Sequence, residues 1–268
     1  MATKTILPPS ERSAETRQRI LDAALREFAA NGLAGSRTEA IATAAGVNKA
    51  LLYYYFESKE KLYMAALEMI ATRVRDTSLA VFLREGTPGE RLLRSAISHF
   101  DRILAQQEFQ SLMQQEMIRL HKGEPGALPI LVKRVFEPVI IMFRSMVREG
   151  VASGELIDAD WMQIQLSALG ANVMYFLSAP VWRIVTGDEP LTLEALSRRR
   201  KLLLEFLGQA IFRDRQHGAE LAARVYADTP MPEPTFPDRQ IGEKLTARVL
   251  ADVPKPEIPG EKSKGRTK

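Results

Sequence analysis

The sequence predicts an all-α fold, and three observations carry that expectation. No segment shows sustained two-residue alternation of apolar and polar side chains, the mark of a half-buried strand. Apolar residues instead recur at helical spacing, as in Ile20, Leu21, Ala24 and Phe28. Glycines and N-capping residues punctuate these stripes at Gly32, Gly46, Ser58, Thr87 and Thr192.

The elements follow in order. Residues 1–13 read as a loose arm. A first helix is expected from about Ala14 to Asn31, with Gly32 just past its end. Thr38 reads as the N-cap of a second helix, on which Ile41, Ala42 and Ala45 share a face. Gly46 supplies a turn position where positive φ has no steric cost. Val47 fills the corner, and Asn48 caps a short third helix, Lys49 to Tyr55, with Leu52 inward. Two helices joined so tightly make a helix-turn-helix, whose second helix enters a DNA major groove. Ser58 then caps a longer helix to about Arg84, with Leu62, Ala66, Met69 and Val74 inward.

The segment EGTPGE breaks the pattern. Thr87 and Glu90 have the spacing of a capping box, and Pro88 stands at the favoured first position. Helices over about 89–107 and 109–122 should follow. A long apolar helix is expected from Ile130 to Ala152, kinked at Pro138. Asp158 reads as the cap of a helix through Ser178 that Pro180 kinks or ends, and Thr192 caps a last helix reaching about Arg213. Beyond it, DRQHGAELAARVYADTPMPEP (Asp214–Pro234) returns as DRQIGEKLTARVLADVPKPEI (Asp238–Ile258), with a period of 24 and 13 of 21 positions identical. Two units are too few for a solenoid, so 214–268 is expected to be a flexible tail carrying a duplicated segment.

Bulk properties exclude some classes. There is no cysteine, hence no disulfide framework and no thiolate metal site, which fits a cytoplasmic location. No apolar run approaches the roughly 20 residues that cross a bilayer, so no membrane partner is expected. The net charge of +4 comes from the final KSKGRTK; the rest of the chain holds 33 basic and 33 acidic residues. A DNA footprint must therefore arise from local placement of charge. His99, His121 and His217 form no spaced ligand pair, and no P-loop, GxGxxG or GxSxG is present. Neither metal, cofactor nor catalytic residue is expected.

The run TEAIATAAGVNKALLYYYFESK (38–59) resembles the TetR family of transcriptional regulators. Thr38, Ile41, Ala42, Ala45, Gly46, Val47, Leu52, Tyr53, Tyr55, Phe56, Ser58, Lys59, Glu60 and Leu62 carry the likeness, and TRQRILDAALREFAANG upstream is similar to that family's first helix. The resemblance covers residues 14 to about 74. It implies a DNA-binding domain over 14–74, with its motif at about 37–56, and a larger helical domain over 75–213 that binds a small-molecule effector. It also implies a homodimer, formed through the last two globular helices, that represses from a palindromic double-stranded operator until a small apolar ligand releases it. Leu166, Leu169, Val173 and Phe176, with Leu196, Leu203, Phe206 and Leu207, are the expected dimer contacts; single-chain core is the alternative for the same residues.

Candidate contacts to DNA follow. Lys59 opens a helix, where a cation opposes the dipole; a phosphate at the same N-terminus would account for it, a solvated surface lysine being the plainer reading. Tyr53, Tyr54 and Tyr55 point about 100° apart along the helix, so at least one is structural. The resemblance implies phosphate contact by Tyr53 and a place near phosphate or base for Tyr54, while Tyr55 packs or binds phosphate. Asn48, Lys49, Ala50 and Leu51 open the recognition helix; Lys49 suits guanine O6/N7, and Ala50 or Leu51 a thymine methyl. Arg37 suits a phosphate beside Thr38. Glu39 points away or reads a cytosine amino group. For the effector, Phe100, Met113, Met117, Phe143, Met146, Met174, Tyr175 and Trp182 are candidate pocket residues, because methionines and aromatics adapt to apolar ligands; ordinary core filling is the alternative for each. Apolar Leu51 and acidic Glu39 are what would favour the rival reading, an all-helical ligand-binding or interaction module with a degenerate head.

Overall fold

The computed structural model describes residues 9–234, and in these the fold is all-α. Helix α1 runs Pro9–Gly35, α2 Thr38–Ala45, α3 Lys49–Phe56 and α4 Lys59–Phe82. The first helix starts earlier than expected, with proline early in its first turn, where a missing N–H leaves no gap in the ladder. It is interrupted at Gly32 (φ 68°), the position read as its end, after which one further turn leads to Ser36. Ile20, Leu21, Ala24 and Phe28 of α1 pack against Ile41, Ala45, Leu52 and Phe56 of the next two helices and Leu62, Ala66 and Ile70 of α4. This core does not stop at residue 74. It continues into Leu112 and Met113 of α6 (Gln107–His121) and Leu128 and Leu131 of α7 (Leu128–Leu131).

Helix α5 (Pro88–Ala105) runs through the larger domain and touches α4, α6, α8 (Glu137–Ala152), α10 (Ala171–Thr186), α11 (Leu193–Ala210) and α12 (Arg215–Ala227). Thr87 caps it, accepting from Glu90 N at 3.2 Å, with Pro88 in first position. The box is only half made. The Glu90 carboxylate turns to Arg94 (2.8 Å) and Arg224 (3.1 Å) instead of the cap's own amide.

Both long apolar rods differ from expectation. The first is α7, a π-helical turn at Val132–Phe136, and α8 (Glu137–Ala152). Pro138 cannot donate to a carbonyl one turn back, and the wider turn ahead of it absorbs the missing bond in place of a sharp kink. The second is α9 (Trp161–Gln165), a π-turn at Leu166–Gly170, and α10 (Ala171–Thr186). Its cap is Asp160, which accepts from Met162 N and Gln163 N, and not Asp158. It passes through Pro180 and ends at Gly187 (φ 77°). This 26-residue rod is long and apolar enough to span a bilayer, contrary to the expectation for the chain. Ile164, Ala168, Asn172 and Ala179 nevertheless form one inward stripe, with Asn172 Nδ2 bonded to Ala96 O at 2.9 Å.

The tail boundary is corrected. Helix α11 (Leu193–Ala210), capped by Thr192, is followed by α12 (Arg215–Ala227), capped by Asp214. The first duplicated unit is thus folded into the domain. Gly218 meets Gly208 so closely that a Cβ on either would collide with backbone, and Leu221, Ala222 and Val225 are buried. Arg94 reaches Asp228 at 3.2 Å, and Arg200 reaches Thr229 O at 3.1 Å. The sequence signal missed was the capping Asp214 ahead of this stripe. The second unit, 238–258, lies outside the described residues.

Candidate DNA interface and effector cavity

The turn between α2 and α3 is built by Gly46 in the left-handed region (φ 66°, ψ 38°), with Val47 N donating to Ala42 O at 3.0 Å. Asn48 caps α3 as expected, its side chain accepting from Leu51 N at 2.7 Å. Thr38 does not cap α2. The cap position is Arg37, without a side-chain bond, while the buried Thr38 hydroxyl lies 3.4 Å from Tyr53 Oη. Arg37 stays exposed, its backbone N–H held by Glu27 at 3.1 Å. Leu52 and Phe56 are enclosed, so α3 buries one face and offers the other.

That outer face carries Asn48, Lys49, Ala50 and Tyr54, all exposed, with Leu51, Tyr53 and Tyr55 half-buried. Tyr54 is 80% exposed, which leaves its ring with no role in the core. Tyr55 is the structural member of the trio: its hydroxyl meets Ser13 Oγ at 3.0 Å, and its ring packs edge-on against Tyr54. Lys59 follows the Ser58 cap, which accepts from Lys61 N at 3.1 Å; its Nζ bonds Ala34 O at 3.3 Å. Glu39 does not point away from this face, as one of its two readings had it. It pairs with Lys49, whose ammonium also lies 5.8 Å from the Tyr53 ring. The hydrogen bond from Lys49 holds the Glu39 carboxyl below its usual range, and the same bond raises Lys49. In the free chain the Lys49 ammonium is therefore occupied.

A joint invisible in the sequence follows α3. Glu57 holds φ 60° and ψ −45°, and Ser58 N reaches Phe56 O at 2.6 Å across it, a strained γ-turn. It sets the angle between the recognition helix and α4.

The larger domain encloses a cavity of about 610 Å³ between α4, α5, α6, the α7–α8 rod and the α9–α10 rod. Val74, Phe82, Phe109, Phe136, Leu169 and Val173 give it an apolar wall. Of the eight pocket residues expected, only Met113 and Met117 line it. Phe100, Phe143 and Met146 are enclosed core instead. Met174 and Trp182 are exposed on the outer side of α10, and Tyr175 bonds Pro190 O. Half-turn differences in helix phase, which periodicity does not resolve, account for these misses. The expected dimer residues divide likewise. Leu196, Leu203 and Leu207 are buried within the chain, Leu169 and Val173 face the cavity, Leu166 stands at its edge while 61% exposed, and Phe176 packs on Phe100; Phe206 remains outside.

The polar part of the wall was missed altogether. His99 and Arg102 of α5 and Ser78 of α4 belong to it, and no Asp or Glu does. Burial pushes the His99 imidazole down to about 3, helped by the neighbouring Arg102, so it is neutral. Burial likewise pushes the Arg102 guanidinium down, to about 10. Asn172 Nδ2 faces His99 Nδ1 at 3.4 Å, and because the same amide donates to Ala96 O its orientation is fixed. His99 therefore carries its proton on Nε2. The only advance signal was a His–Arg pair three apart beside the apolar stripe Ile97, Phe100 and Leu104.

Residues 20–66 match the family described as "Bacterial regulatory proteins, tetR family". The transcriptional repressor NicS of Pseudomonas putida is 28% identical over 154 residues, covering 58% of this chain and 72% of that protein. The transcriptional regulator RutR of Escherichia coli is 46% identical over 69 residues, 26% of this chain and 32% of that protein, so that likeness is confined to the head. A solved transcriptional regulator from Saccharomonospora viridis, in complex with choline, shares the fold with a TM-score of 0.61 at 20% identity, over 75% of this chain and all of that one. With the exposed face of α3 and the shared two-part fold, these likenesses identify residues 20–66 as a DNA-binding head of the tetR type, as found in transcriptional regulators.

Proposed function

We propose that this regulator is a cytoplasmic homodimeric repressor that leaves a palindromic operator when a small molecule fills the 610 Å³ cavity. The observation that carries the DNA side is the outer face of α3, where Tyr54 and the Asn48–Lys49–Ala50 end stand clear of the core. Arg37, Thr38, Tyr53 and Lys59 flank it as positioning contacts to phosphate, and Asn48, Lys49, Ala50 and Leu51 meet base edges. Lys49 must leave Glu39 to do so, exchanging one exposed ion pair, worth little in water, for a guanine edge.

Dimerisation is supported by the apolar outer side of the α10 and α11 helices. Met174, Val181 and Val185 along one rod, with Leu166 and Leu177 at the cavity's edge, and Leu202 and Phe206 on the other, are each at least half exposed. An exposed stripe of this length suits a matching pair of helices from a second copy. Two recognition helices would then sit about 34–36 Å apart, one turn of duplex.

Coupling runs through α6. One side of it, with Phe109, Met113 and Met117, lines the cavity; another holds the head, where Gln115 Nε2 donates to Ala29 O at 3.1 Å. Glu116, wholly buried, accepts from Tyr63 Oη (2.7 Å), Arg119 (2.8 Å) and the amides of Ala127 and Leu128, tying α4 to α6 and α7. A ligand that favours a different tilt of α6 changes the separation of the two heads.

The test is selection of bound genomic DNA, followed by gel shifts. Lys59→Ala should weaken binding to all sequences and make the salt dependence shallower, while Lys49→Ala should change sequence preference. Recovery of no enriched palindrome, with both variants binding like the parent, would overturn the assignment.

A further inference from the structure

We infer that the cavity takes an amphipathic organic anion, a carboxylate on an apolar body, with Arg102 as its charge partner. The inference rests on the cavity being the effector site. Arg102 makes one hydrogen bond in the wall, from Nη1 to Ser78 Oγ at 3.3 Å, and among the described residues no carboxylate lies within ion-pair distance of it. The two buried arginines among the described residues each have a carboxylate partner. Arg94 is paired with Glu90 and Asp228, and Arg200 holds Asp101 through two bonds of 2.6 and 2.7 Å. Arg102 is partly buried in the cavity wall, and a guanidinium held there without a counter-charge carries a desolvation cost that an incoming anion would offset. The planar fork of Arg102 suits a carboxylate held through two parallel hydrogen bonds.

The rest of the wall fits the same ligand. His99, neutral with its proton on Nε2, is a further donor that asks for no counter-charge. The phenylalanines, valines and leucines suit an apolar body, the remaining polar residues (Ser95, Ser98, Gln110, Gln114 and Gln165) are neutral, and a cavity of about 610 Å³ is of the size that holds a drug-sized molecule. A cationic ligand would meet Arg102 with no acidic residue in the wall to offset the repulsion.

The experiment is calorimetric titration of the full-length protein with decanoate and 4-phenylbutyrate, each beside its primary amide, and with decyltrimethylammonium. At least one carboxylate should bind tenfold or more tighter than its amide, and the ammonium should bind weakest. Arg102→Leu should erase that preference without weakening the amide more than about threefold, a difference of about 0.7 kcal/mol. Arg102→Lys, which keeps the charge, should retain part of it. Unliganded Arg102→Leu should melt no lower than the parent; a purely structural arginine would show the opposite. Equal or tighter binding of an amide or of the ammonium, no binding by either carboxylate, or a preference that survives Arg102→Leu would each overturn the inference. Gel shifts separate the two readings: carboxylates that bind through Arg102 yet leave the DNA complex intact sink the release mechanism alone, and a neutral ligand that releases DNA while carboxylates do not bind sinks the anion alone.

Discussion

Phe28, Ile41 and Leu52 in the head are wholly enclosed by one another's helices. Around α5, by contrast, about 610 Å³ is left unfilled, with a guanidinium in its wall. The same chain thus packs one region solid and leaves the other open. The solid region holds α3 by close packing; the open one leaves a space that a ligand can fill.

The largest expected effects test the solid regions. Arg200 is 2% exposed, and burial pushes the Asp101 carboxyl up even with Arg200 beside it. The pair therefore adds little net stability over an apolar replacement, yet Arg200→Ala strands a buried acid and should cost about 3–5 kcal/mol in urea unfolding. Phe28→Ala, in the head, should cost a similar 3–5 kcal/mol. Val173→Ala, at the cavity wall, should cost only about 1 kcal/mol, because it widens a space already present and removes few contacts. A loss at Val173 as large as at Phe28 would mean that the cavity is closed in solution.

The two regions also differed in how much the sequence disclosed. In the head the information is local. Gly46, Asn48 and Ser58 act within four residues of themselves, so their roles follow from chemistry and spacing. Thr38 failed because a competing partner, Tyr53, lies on the next helix. In the cavity domain the information is non-local. Whether Met113 faces the cavity and Met146 the core depends on how five helices meet, and two π-turns shift the phase of the rods. Asp214 shows the reverse error: a legible cap was passed over because a duplication with prolines read as a tail.

A pH series gives an intermediate effect. His99 is neutral in the fold at about 3, against an ordinary 6.5, so the unfolded chain takes up the proton more readily. Its contribution is complete above about pH 6.5 and is lost as pH falls from there towards 3. Because the ring lines a cavity that water can enter, the slope should be below the limit of about 1.4 kcal/mol per pH unit for one proton. His99→Gln should flatten the parent's loss of stability between pH 6.5 and 5. Parallel curves for the two proteins would show that the ring is solvated, and with it the wall around Arg102.

The smallest expected effect lies in the head, at the γ-turn of Glu57. Its φ of 60° and ψ of −45° are strained for any residue with a Cβ, and its exposed pair with Lys61 contributes little. Relief of that strain in Glu57→Gly competes with the greater freedom glycine gives the unfolded chain, so stability should rise by no more than about 1 kcal/mol. Operator affinity should fall all the same, because glycine lets α3 swing relative to α4 and to the phosphate contact proposed for Lys59. A more stable head that binds DNA less well would show that the strained joint serves the angle of α3 and not the fold. Unchanged affinity would place that angle in the packing of Leu52 and Phe56 alone.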